Sequence, residues 1–167
     1  MIHPLRAALS LLVLPAFALP AFADGARQSV FTSEQAKAGK VAYESTCGIC
    51  HLNTLRGRVG EPNELPDPAT LPENYQKTIN GAGGYVPPLI GQEFMAKWAP
   101  KTAGEFAARI DNAVKGFPPK GTDDRTFLLL SAYILQSNGS LPGKQALTAT
   151  STVPVSATLP KGKAKKS

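Results

Sequence analysis

Cys47-Gly48-Ile49-Cys50-His51 is the stretch on which the reading of this chain turns. Two thiols three residues apart, with an imidazole directly after the second, make a C-x-x-C-H run, which reads as a c-type haem attachment site. The thiols of Cys47 and Cys50 can add to the two vinyl groups of one haem c, holding it covalently. His51 then stands to ligate the iron through a ring nitrogen. Three other chemistries share parts of this pattern. A thioredoxin-like dithiol also carries C-x-x-C, but after a strand and at the start of a helix; here residues 32–44 read as helix and no βαβ unit follows. A structural zinc site needs two further Cys or His ligands, and beyond Cys50 the chain offers only His51. A disulfide between Cys47 and Cys50 would leave the adjacent histidine without a reason.

The compartment follows from the first residues. Residues 1–23 read as an export signal: a short basic start ending at Arg6, an apolar run, and the small-x-small pattern Ala21-Phe22-Ala23. The expected mature start is Asp24. The run is too short and too broken by proline to span a bilayer, and an uncleaved anchor is the competing reading. The expectation is a periplasmic protein that does not span the membrane after signal cleavage. What remains suits one small domain. Cys47 and Cys50 are the only cysteines of the 167-residue chain, so haem attachment would use both and leave no disulfide. A buried macrocycle would then serve as the staple that a small core needs. The formal charge of +6 sits largely in the tail, at Lys161, Lys163, Lys165 and Lys166. No basic stripe is interleaved with aromatics, so nucleic-acid binding has no support.

Caps and periods predict an all-α domain over residues 24–139. Thr32-Ser33-Glu34-Gln35 is a capping box that opens a helix over Ser33–Glu44. That helix sets Ala36, Gly39, Lys40 and Tyr43 on one face. Gly39, unfavourable in a helix interior, points to close approach by another helix. A second box, Thr102-Ala103-Gly104-Glu105, opens a helix with Phe106, Ile110, Ala113 and Val114 as its stripe. A third helix is expected to begin at Thr122 or Asp123 and end at Ser137, with Asn138-Gly139 as its stop. Its stripe is Phe127, Leu130 and Ile134. Residues 92–98 read as a short helix carrying Phe94, Met95 and Trp98, and 72–79 as a further short one. From Ser140 the chain is rich in Thr, Ser, Ala and Pro, then in Lys, without a periodic apolar stripe. A disordered tail over 140–167 is expected.

Residues 32–139 resemble a class I c-type cytochrome, with a cytochrome c-like helical domain around one covalently attached haem. Gly39 and Tyr43 against the 127–134 helix resemble that family's helix crossing, and Pro87-Pro88-Leu89-Ile90-Gly91 resembles its P-x-L-x-G segment. The resemblance implies that the Pro87 carbonyl accepts from His51 and that Leu89 packs on the haem. A carbonyl partner is also what a histidine ligand requires to fix its tautomer. Residues 86–99 further resemble exported cytochromes that accompany quinoprotein dehydrogenases. Two departures stand out. Residues 52–85 form a longer, proline-rich haem loop, either a tolerated surface insertion or a partner-docking lid. Phe117 stands where the family's loop methionine is expected. Met95 is the only methionine besides Met1, and is the candidate sixth iron ligand. A core role for Met95 with an open iron, or ligation by Lys115, Lys120 or Tyr85, are the alternatives. Trp98, Phe94, Phe117 and Tyr85 are candidate haem-pocket walls.

The expected role is one-electron transfer between redox partner proteins, from a periplasmic dehydrogenase to a terminal oxidase or other respiratory acceptor, and not an enzyme. The alternatives are a ligand-binding or peroxidatic haem protein with an open sixth position, and a fixed haem subunit of a larger oxidoreductase. No distal histidine or clear distal arginine favours peroxide chemistry, which needs a positioned base.

Overall fold

The computed structural model describes residues 27–57, 69, 73–81, 84–116 and 125–159. The leader over 1–23, much of the 52–85 loop, Phe117, Lys120 and the terminal lysines lie outside the described residues. Those described fold into helices, with no strand among them. In chain order the elements are α1 (Ser33–Glu44), α2 (Gly48–His51), α3 (Glu73–Gly81), α4 (Gly91–Trp98), α5 (Ala103–Gly116), α6 (Thr126–Ser137) and α7 (Val155–Thr158). None is long and apolar enough to cross a membrane.

The capping boxes set two of these starts. Thr32 Oγ1 accepts from the Gln35 backbone N–H at 3.2 Å, and Gln35 Oε1 accepts from Thr32 N–H at the same distance. Glu105 N–H donates to Thr102 Oγ1 at 3.1 Å, while the Glu105 carboxylate accepts from Thr102 N–H at 2.8 Å. Each reciprocal pair satisfies helix-start donors that would otherwise lack partners.

The main packing interface is α1 across α6. It depends on Gly39, where an added Cβ would collide with the backbone carbonyl of Leu129 and come within 3.0 Å of Tyr133 Cβ. A turn farther on, the rings of Tyr43 and Tyr133 meet with centroids 5.1 Å apart. Tyr43 is fully buried, and its hydroxyl donates to the Leu52 carbonyl at 2.9 Å. The C-terminal end of α6 reaches the loop before α4: Asn138 Nδ2 donates to the Leu89 carbonyl at 2.9 Å, and Asn138 Oδ1 accepts from Gly91 N–H at 3.2 Å.

Residues 140–159, expected to be disordered, are instead a strap packed on the domain. Gly143 N–H donates to Phe31 O, Ala103 N–H to Val153 O, Gly104 N–H to Ser151 O and Val155 N–H to Lys101 O, each at 2.8 Å. Leu147, Val155 and Leu159 are buried in the core with Phe31 and Phe106. The buried hydroxyls of Ser140 and Thr158 satisfy one another at 2.6 Å. The composition misled because an extended strap needs no apolar period. Three isolated side chains and a run of main-chain hydrogen bonds suffice.

Candidate functional site

The residue after α1 begins a tight descent into the site. Ser45 closes α1, Cys47 is the N-cap of α2, and one helical turn carries Cys47, Cys50 and His51. Cys50 N–H and His51 N–H both donate to the Cys47 carbonyl, at 3.1 and 2.8 Å. This turn sets both sulfurs and the imidazole on the edge of a single cavity of about 410 Å³. That volume lies within the range of small-molecule and cofactor pockets.

His51 reaches across the cavity mouth. Its Nδ1 lies 2.9 Å from the carbonyl oxygen of Pro87. A carbonyl can only accept, so Nδ1 carries the proton and Nε2 the lone pair. Burial holds the imidazole below its ordinary pKa range, partly opposed by the Pro87 carbonyl. The neutral ring is the ligating form.

The thiols are unpaired, and burial pushes both above the usual thiol range. Thr46 opposes this at Cys47, donating from Oγ1 to the sulfur at 3.6 Å. A catalytic dithiol needs the reverse, a thiolate favoured by a helix N-terminus or a nearby cation. Among the described residues no group of three or more His, Cys, Asp or Glu side chains converges as a metal site.

The walls come from residues between Thr46 and Ile134, on several elements. Pro87 and Leu89 line the cavity beside His51, as do Tyr85 and Val86. From α4 come Glu93, Phe94, Lys97 and Trp98, and from α5 Phe106, Arg109, Ile110 and Val114. The ring of Phe106 packs edge-on against Phe94 and Trp98, with centroids 5.4 and 5.0 Å away. The structure thus brings together Cys47, Cys50, His51, Pro87, Leu89, Trp98, Phe94 and Tyr85. Met95 is not among the lining residues; it packs, half-buried, against the core. On α4 the cavity face is Glu93, Phe94, Lys97 and Trp98, and Met95 falls off that face by the helical period. Lys115 is also elsewhere, paired with Asp111 at 2.6 Å on an exposed face.

Among the lining residues not singled out from sequence are Tyr75, Glu93, Lys97 and Arg109. Arg109 could have been found, since it lies three residues from Phe106 and four from Ala113, on the stripe that was read. Tyr75 comes from α3, so the long loop contributes to the cavity wall. Tyr85 donates to Glu93 Oε1 at 2.6 Å, bridging the loop and α4 at the mouth.

The residues present fit a covalently held haem. Two thiols and one imidazole with a free Nε2 share the edge of an apolar, aromatic-walled cavity. Comparison with protein-family models, curated proteins and solved structures returned no match for this chain.

Proposed function

We propose that this chain is an exported monohaem c-type cytochrome that carries single electrons between a periplasmic dehydrogenase and a respiratory acceptor. The observation that carries the reading is the contact of His51 Nδ1 with the Pro87 carbonyl, on the edge of the cavity shared by Cys47 and Cys50. That contact has no use in a dithiol enzyme, where a histidine would be needed to activate a sulfur. It is what a proximal ligand requires, because it fixes the tautomer and raises the basicity of the other nitrogen.

In this reading Cys47 and Cys50 would anchor a haem through thioether bonds and His51 would ligate its iron. Bound there, haem supplies a one-electron couple whose potential responds to axial ligand, hydrogen bonding and burial. Pro87 holds the ring proton on Nδ1. Phe94, Trp98, Phe106 and Ile110 keep water from the cavity floor, which lowers the local dielectric. Leu89 packs at the wall beside His51. A transfer protein needs little more than this rigid frame and one accessible edge, so its redox partners are proteins that dock near the mouth.

A second reading is favoured by one observation: Met95 stands off the cavity wall. The chain is then a haem protein with an exchangeable sixth position that binds small ligands. Two measurements on the exported protein test both. Intact mass is expected to equal the chain from Asp24 plus one haem, with haem-linked staining on denaturing gels. Both signals should vanish in the Cys47→Ala, Cys50→Ala double variant. A mass without haem overturns the proposal. Rapid carbon monoxide binding by the reduced protein selects the second reading.

A further inference from the structure

The chain leaves α2 by an unusual route. Leu52 and Leu55 adopt φ of 60° and 58°, in the left-handed region that bulky residues avoid. Such outliers persist only where the surroundings over-determine them. Here the turn is closed by Leu55 N–H donating to Leu52 O at 3.0 Å and Gly57 N–H donating to His51 O at 3.1 Å. It is pinned to the opposite segment by Leu89 N–H donating to Leu55 O at 2.8 Å. The turn therefore clips the end of α2 to residues 86–89, and Gly57 lies at the junction.

Gly57 has φ +66°, and a Cβ there would lie 2.7 Å from both C and O of Pro87, and closer still to the Val86 carbonyl oxygen. All three are backbone atoms, so no side-chain tip can swing aside. The peptide that would be displaced is the one whose carbonyl meets His51 Nδ1 at 2.9 Å.

We propose that Gly57 is a positioning residue for His51: its bare Cα lets the Pro87 carbonyl reach Nδ1, which leaves Nε2 as the ring nitrogen offered to the cavity. The purpose of this arrangement rests on the haem reading of His51, while the geometry stands without it. Any side chain at residue 57 moves the Pro87 carbonyl outward. The ring then loses its partner and the Nδ1 proton becomes free to exchange; where Nε2 is unligated, the neutral imidazole also samples its other tautomer.

The test uses the full exported protein labelled with ¹⁵N-histidine. In the wild type the His51 Nδ1 proton should exchange slowly. In Gly57→Ala its exchange should quicken roughly fivefold or more, the factor that one net hydrogen bond of about 1 kcal/mol represents. With haem bound, the reduction potential should also rise, because the less basic ring favours the ferric state less. Gly84→Ala is the control: Gly84 has φ +78°, but a Cβ there meets nothing within 4 Å, so exchange and potential should not change. Gly57→Asn tolerates positive φ yet keeps the colliding Cβ, and should behave like Gly57→Ala. Unchanged exchange in a folded Gly57 variant overturns the proposal. So does an equal change in Gly84→Ala, or loss of the fold in both Gly57 variants, which would make Gly57 a requirement of the fold as a whole. Protein that carries no haem defeats the functional reading, and the exchange comparison in that same protein still decides the role of Gly57.

Discussion

The side chain of Gln35 clasps the backbone of Leu147 from both sides. Gln35 Nε2 donates to the Leu147 carbonyl at 3.1 Å, and Gln35 Oε1 accepts from Leu147 N–H at 2.8 Å. The same Oε1 accepts from Thr32 N–H at 3.2 Å in the cap of α1. One amide thus starts the first helix and anchors the strap.

Gln35→Ala removes all three hydrogen bonds. At about 1 kcal/mol each net, less what water restores, the expected loss is about 2 kcal/mol. Gln35→Glu keeps the acceptors and loses only the donor to Leu147, so its loss should be smaller. Urea unfolding of the two variants measures the difference, and equal losses would deny the shared role.

Leu147 is almost fully buried although its neighbours Ala146 and Thr148 are exposed. Leu147→Ala should cost about 3 kcal/mol, as for other large-to-small changes in a core. Ending the chain after Gly139 removes Leu147, Val155 and Leu159 together, and should cost about 5 kcal/mol. A truncated protein that melts at the wild-type temperature would return these residues to the status of a loose tail.

The pH response of the α5 cap has a definite sign. The hydrogen bonds from Thr102 backbone and side chain hold the exposed Glu105 carboxyl below its ordinary value of 4.5. A carboxyl depressed in the folded state contributes its stabilisation above the unfolded pKa, and that contribution fades as pH falls through the folded value. The melting temperature of the wild type should therefore fall relative to Glu105→Gln as pH drops below about 4.5. The gap between the two should be constant from pH 6 upward, by thermal melts in a series of buffers.

Met95→Leu conserves volume and leaves the cavity wall untouched. Stability should change by less than about 1.5 kcal/mol. On the haem reading, the visible spectrum and carbon monoxide binding rate should match the wild type. A new ability to bind carbon monoxide in the variant would make Met95 the sixth ligand in that reading.

Much of this was legible before any coordinates, for local reasons. Thr32 with Gln35, and Thr102 with Glu105, announce helix starts because a cap is satisfied within four residues. Gly39 signalled a close crossing because nothing else justifies glycine mid-helix, and the Leu129 backbone meets it there. Cys47, Cys50 and His51 are adjacent in sequence, so one turn brings them together. Pro87 lies 36 residues from His51, and only the resemblance to a family linked the two. What stayed hidden was tertiary. No period marks Leu147, Val155 and Leu159, since what holds them lies far off in sequence: Gln35 clasps Leu147 and Lys101 accepts from Val155 N–H. Gly57 was unremarkable as a letter, because its role depends on the path taken by the two leucines before it. Met95 was singled out by inventory, whereas the phase of α4 decides where it points.

The clasp of Gln35 on Leu147 joins residues 112 positions apart, and that separation bears on the order of assembly. Contacts this distant in sequence close late, after local helices have formed. A chain that emerges with its N-terminus first makes α1 and the C-x-x-C-H turn early. The Phe31 carbonyl and the outer side of the Gln35 amide wait for Gly143 and Leu147. The stretch that locks the domain is thus delivered after the helices it clasps, so those helices must persist for an interval without Leu147, Val155 and Leu159 in their core.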